Sequence, residues 1–253
     1  RSYSVFGQLD FGYKNYAFLS LVARNDWSST LPENNNSFFY PGVNTSIILS
    51  DAIPSLKDYI SFAKIRGSWG KTGNDADVYQ IKSVFVPSEI FNPWGNLIFP
   101  INGVNAYEVG NSIGNKNLKP EISSEWEVGA DLRFFNSRLN IDIAYYNKYT
   151  TDQIYSVPLA NSTGYTVQTM NIGEISNKGI ELMVSIIPIQ KNNFDWKLST
   201  TFTRNVNKVE KLKEGLPEVT LASAYDIQFV AMEGYPLGVF KGPVPETTPD
   251  GKI

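Results

Sequence analysis

The chain contains neither cysteine nor histidine. Without cysteine there is no disulfide framework and no thiolate metal centre. Without histidine the commonest general base and the commonest neutral metal ligand are missing, which rules out serine–histidine and cysteine–histidine nucleophile pairs. Carboxylate, tyrosine, lysine or threonine chemistry remains, but no nucleophile motif accompanies it. No catalytic residue, metal or cofactor is therefore expected. The sequence also lacks an apolar run of about 18 residues, so no helix is expected to cross a membrane. It lacks a basic stripe, and the net charge of −3 argues against a nucleic-acid partner.

Aromatic residues, by contrast, are plentiful: 15 Phe, 14 Tyr and 5 Trp in 253 residues. Mean hydropathy is only −0.21. Both values suit a membrane β-barrel, in which half of each strand faces a polar lumen. The segment Glu125–Phe134 alternates with period two. Glu125, Glu127, Gly129, Asp131 and Arg133 share one face; Trp126, Val128, Ala130, Leu132 and Phe134 share the other. The aromatics at the two ends of the apolar face lie about 26 Å apart along a strand. A tilt of about 40° reduces this to about 20 Å of height, close to the apolar band of such barrels. Similar alternation places Leu139, Ile141, Ile143, Tyr145 and Tyr149 opposite Asn140, Asp142, Ala144, Tyr146 and Lys148. It recurs over Ile180–Ile186, Trp196–Thr203 and Ala63–Trp69.

Eight strands are predicted, at 2–13, 16–27, 38–50, 61–70, 123–135, 138–149, 176–187 and 194–208. Their connections alternate between short and long. Lys14-Asn15, 51–60, Asn136-Ser137 and Pro188–Asn193 are the short ones; 28–37, 71–122, 150–175 and 209 onward are the long ones. Such asymmetry is expected of an up-and-down barrel with tight periplasmic turns and long outer loops. A soluble β-sandwich binding module is the rival reading, because one wet face produces the same alternation. It would bury the apolar faces against a second sheet.

Several stretches carry a resemblance. Arg66–Asn74 (RGSWGKTGN) resembles a strand-to-loop signature, and Asn115–Glu121 (NKNLKPE) precedes the Glu125–Asp131 strand. Asn171–Glu181 (NIGEISNKGIE) and Glu233–Phe240 (EGYPLGVF) follow in order. Together with Gln8–Leu19 these stretches resemble the C-terminal barrel region of SusC/RagA-family TonB-dependent outer-membrane receptors. That resemblance implies an all-β, antiparallel, up-and-down transmembrane barrel, of which residues 1–253 would supply about 8–10 strands of roughly 22. The plug, the TonB-binding segment and the closing strands would belong to the rest of a longer protein. The partners implied are outer-membrane lipid, TonB acting through the missing N-terminal part, and a SusD-like surface lipoprotein serving as a lid. The cargo implied is an oligosaccharide, or a peptide in the RagA type. Family members often continue into an Asp-rich, calcium-loop-like segment, but residues 246–253 hold a single Asp, so no metal site is carried over.

Chemistry is expected in the 71–122 segment, read as a long extracellular loop. Here Phe91, Trp94 and Tyr107 are interleaved with Asn96 and other amides. Aromatic faces beside amide groups suit sugar recognition. The same rings could instead pack the loop or meet the lid. Glu125, Glu127 and Asp131 read as lumen charges balanced by Lys64, Arg66 or Lys148 rather than as an acid–base pair.

Overall fold

The computed structural model describes residues 1–244. Eight long strands lie side by side in chain order: β1 (Ser2–Tyr13), β2 (Ala17–Ser28), β3 (Ser37–Ile48), β4 (Phe62–Asn74), β5 (Glu121–Phe134), β6 (Leu139–Pro158), β7 (Val167–Lys191) and β8 (Phe194–Leu212). Each neighbouring pair is antiparallel. The wall is therefore an up-and-down meander without crossovers. A short piece, Ser112–Ile113, adds a parallel pairing at Val167–Gln168. Beyond the wall, β9 (Glu218–Ala224), β10 (Ile227–Met232) and β11 (Val239–Lys241) form a separate three-stranded sheet.

The tight turns follow from local backbone chemistry. Lys14 and Asn15 both adopt positive φ, 47° and 60°, as a twisted hairpin turn requires. Phe135, Asn136 and Ser137 do likewise, at 53°, 54° and 65°. The β3–β4 connection is longer because it folds into two helical turns, Leu49–Ala52 and Pro54–Asp58. These three connections and the β7–β8 turn all lie at one end of the wall.

Four expectations need correction. The segment 150–175 is not a loop: β6 runs on to Pro158 and β7 starts at Val167, leaving a short connection around the 3₁₀ turn Asn161–Thr163. Register shifts at Thr150/Gln153 and Gln153/Ile154 break the alternation there, so a period-two reading loses the strand although its ladder continues. The Pro188–Asn193 turn is shorter than predicted, because β7 continues to Lys191. Pro188 is accommodated where the β7–β8 register slips between Ile186 and Ile189, the kind of irregularity that tolerates a missing N–H. The region from 209 onward first extends β8 to Leu212 and then forms β9–β11. The strand predicted at 61–70 also runs further, to Asn74. The calcium-loop comparison at 246–253 falls outside the described residues.

Within the wall, register matches like faces. Across β5–β6, Val128 opposes Tyr145, Ala130 opposes Ile143, Leu132 opposes Ile141 and Phe134 opposes Leu139. The row continues into β7 and β8, where Ile143 meets Leu182 and Leu182 meets Phe202. No second sheet covers this face among the described residues: Val128 is 51% exposed and Phe202 55%. The sandwich reading therefore falls. A wall of this kind has no core of its own, and most of the buried apolar residues collect at the long-loop end. Ile172, Ile175, Val209, Leu212, Val219 and Ala231 pack together there, joining β7 and β8 to β9–β10. Leu31, Phe38, Ala76 and Leu118 form a second cluster under the 75–120 loop.

If the bare face meets hydrocarbon, a cation at mid-band is costly. Leu182→Arg should destabilise the protein by about 2–4 kcal/mol in lipid. The lumen-side Thr201→Lys should stay within about 0.5 kcal/mol. Equilibrium unfolding into bilayers checks the pair.

Candidate functional site

The opposite, concave face carries the charges. A depression of about 720 Å³ is lined by Asp10, Ser20, Asn44, Arg66, Ser68 and Glu127, among others. Its centre is Arg66 on β4. The guanidinium donates from Nη1 and Nη2 to the two carboxylate oxygens of Asp142, at 2.9 and 3.0 Å, and from Nε to Glu127 Oε1 at 3.3 Å. Asp142 lies on β6, two strands away, a span of about 10 Å. The crossing is possible because Gly129 on β5 stands directly opposite Arg66. A Cβ there would come within 2.8 Å of the Arg66 Cζ.

A like-charge conflict explains the arrangement. Asp131 and Asp142 face each other across the β5–β6 ladder, a destabilising pairing if left alone. Arg66 takes Asp142, and Arg133 takes Asp131 at 3.0 Å. Arg66 is about a third exposed, so its pairs are partly hydrated and contribute only modestly to stability. What they supply is neutrality in a row of carboxylates. Lys64 and Arg66 were among the cations expected to balance this wall, but the bridge from Arg66 to Asp142 was not foreseen. The glycine at 129 was the available signal.

At the long-loop end, three of the stretches that carried the family resemblance meet. Asn171 accepts from the Lys119 N–H at 2.9 Å and donates to the carbonyls of Lys119 and Asp152 at 2.9 and 2.7 Å. Asn115 donates to the Thr169 carbonyl at 3.0 Å. Glu121 accepts from the Ile154 N–H at 2.7 Å and from Asn74 at 3.2 Å. Leu118, between them, is fully buried. The neighbouring Tyr155 phenol is pushed up by burial and, less, by the Glu121 charge. Asp75 accepts from the hydroxyls of Ser28 and Thr30, fastening the other end of the loop to the β2 rim. The loop is thus clasped at both feet.

Above the clasp the loop carries short hairpins: Phe85–Pro87 pairs with Tyr107–Val109, and Glu89–Ile90 with Leu97–Ile98. The residues predicted to bind ligand all lie here. Phe91 and Tyr107 are exposed, and Trp94 is 94% exposed. Asn92 Oδ1 accepts from the Trp94 N–H at 3.1 Å, and Asn96 donates to Glu89 at 3.0 Å. Phe91, Trp94 and Tyr107 do not stack on one another among the described residues, and they line no pocket with the lumen charges. The rings are presented to the outside of this chain rather than buried by it.

A meandering antiparallel wall with one bare apolar face, one charged concave face and all its tight turns at one end defines a transmembrane β-barrel. The chain belongs to the TonB-dependent receptor-like β-barrel family, whose model matches residues 1–239. The family is one of transporters and receptors rather than enzymes. Among curated relatives, a TonB-dependent receptor of Formosa agariphila is 30% identical over 81% of this chain and 20% of its own length. The TonB-dependent receptor SusC of Bacteroides thetaiotaomicron is 30% identical over 84% of this chain and 21% of its own. The chain thus spans about a fifth of the length of the curated relatives it matches. The solved RagAB peptide transporter superposes with a TM-score of 0.79 at 22% identity, covering 93% of this chain and 25% of that one. The siderophore receptor PirA of Pseudomonas aeruginosa gives 0.54 at 14% identity, covering 90% and 41%. These two likenesses establish the fold.

Removing the clasp should free the loop without unfolding the wall. Asn171→Ala should cost about 2 kcal/mol locally. Faster amide exchange confined to 115–121 and 152–155 would show it, with protection of β1–β4 unchanged.

Proposed function

We propose that this chain is wall and outer loop of a TonB-dependent transporter that carries oligosaccharides across a bacterial outer membrane. Its long-loop end faces outward, and a SusD-like surface lipoprotein closes the lumen as a lid. Energy arrives through TonB, acting on parts of the receptor outside this segment. The observation that carries the cargo reading is the presentation of Phe91, Trp94 and Tyr107 as free aromatic faces on a loop whose feet are clasped. Free rings on a fixed base suit stacking against the C–H faces of a sugar, and the amide of Asn96 beside them suits its hydroxyls. Likeness to SusC supports the transporter class.

Peptide is the second cargo, favoured by the RagAB peptide transporter's superposition. Exposed rings also serve peptide side chains, so the test must separate the two. In the intact receptor, Phe91→Ala with Trp94→Ala should weaken oligosaccharide binding about tenfold, since each aromatic contact contributes about 0.5–1.5 kcal/mol. Titration calorimetry with an oligosaccharide panel and a peptide panel reads this directly. Binding of peptides alone would transfer the cargo to the second reading. Oligosaccharide binding undiminished in the double variant would remove the rings from the site.

A further inference from the structure

The apolar outer face ends unevenly. On β4 and β5 it closes at the long-loop end with Trp69 and Trp126, which oppose each other across the ladder. On β7 and β8 it closes with cations. Counting along β7, Ile186, Val184, Leu182 and Ile180 face outward, and the next outward residue is Lys178. On β8 the outward set is Trp196, Leu198, Thr200 and Phe202, then Arg204, Val206 and Lys208. Arg204 is eight residues beyond Trp196, about 26 Å along the strand, and so lies about 20 Å above it at the usual tilt. That is close to the height of the apolar band, about 25 Å. The cations therefore stand at the level of lipid headgroups.

Register brings the three together. Lys178 opposes Val206, with Arg204 and Lys208 on either side of Val206 along β8. Arg204 in turn opposes Ile180, and Lys208 opposes Ser176. Diagonal neighbours on such a ladder are about 7–8 Å apart, near enough for long side chains to converge on one group. Lys208 donates to Glu210 at 2.8 Å, and Glu210 also accepts from Ser176 at 2.6 Å. Tyr149, on the adjoining strand, donates to Glu174. Lys178 and Arg204 have no ion pair among the described residues, and both are exposed. Lys208 is thus paired, Lys178 lies near enough to share the Glu210 charge without a direct ion pair, and Arg204 is free of both, on the face that meets lipid rather than the lumen.

We infer that Lys178, Arg204 and Lys208 form an outward-facing site for a phosphate-bearing lipid headgroup of the outer leaflet. Arginine supplies a planar fork that matches phosphate oxygens in pairs, and the lysines add point charges that adapt to the headgroup. Exposed Val206 at the centre and Phe202 below present apolar surface for the sugar and acyl portions of the lipid. The phosphate belongs either to lipid A or to a glycerophospholipid; the recognising chemistry is the same. The inference rests on the outward orientation proposed above, but it does not depend on the cargo.

The test uses the intact receptor in mild detergent, with native mass spectrometry of retained lipid. The probes are bisphosphoryl lipid A, dephosphorylated lipid A and phosphatidylglycerol. The wild type should retain a phosphate-bearing probe at least about tenfold over dephosphorylated lipid A. The triple variant Lys178→Gln, Arg204→Gln, Lys208→Gln should bring that ratio to about one, with cargo binding unchanged. Retention of bisphosphoryl lipid A alone assigns the source to lipid A; retention of both phosphate-bearing probes extends it to glycerophospholipid. Equal retention of dephosphorylated lipid by the wild type, or an unchanged ratio in the triple variant, overturns the site. Should the triple variant not fold, Lys178→Gln alone must lower the ratio about threefold and Lys178→Arg must restore it. The Phe91/Trp94 variant separates the two proposals: it should lose cargo and keep the lipid.

Discussion

The structure depends on backbone hydrogen bonding between neighbouring strands. A strand in hydrocarbon has no water to satisfy its N–H and C=O groups, so each must be paired by the strand beside it. That requirement sets the meander, keeps irregularities away from the middle of the apolar band, and locks the register. Register then decides everything that side chains can do. One residue of slip would turn Leu182 and Phe202 into the lumen and Glu181 and Thr203 out to lipid.

Because the wall buries little of its own apolar surface, tertiary structure in the ordinary sense exists mainly at the long-loop end. There the strands rise beyond the apolar band, alternation gives way to register shifts, and loops fold back to create two small cores. The clasp of Asn171, Asn115 and Glu121 belongs to this zone. It divides the molecule into a rigid frame and a loop whose tip makes few contacts with the chain below it. Such a division suits a binding surface, since the frame limits the freedom of the feet while the rings stay open to partners.

Much of this was legible beforehand. The period-two pattern of Glu125–Phe134 and Leu139–Tyr149 placed both faces correctly, because a wall exposed to two solvents constrains every second residue. The 150–175 segment escapes a periodicity reading for the same reason: beyond the apolar band neither face is held to one solvent, so the alternation fades although the ladder continues. Phe91, Trp94, Asn96 and Tyr107 stand out by composition as a candidate group. Their separate exposure, without a shared pocket, does not, since side-chain convergence depends on how the small hairpins turn. Asn171 and Glu121 stood within recognisable stretches, yet their joint role required the folded rim.

By itself, then, the sequence determined the class of wall, the sidedness of its strands and the position of its tight turns. These are local properties, written in the two-residue period and in residues such as Lys14-Asn15 that tolerate left-handed backbone. Only the tertiary structure decided which charges meet. Arg66 reaches Asp142 over Gly129, and Lys178 stands between Arg204 and Lys208, because register sets positions that lie far apart in the chain side by side. No periodicity within a single strand contains that information.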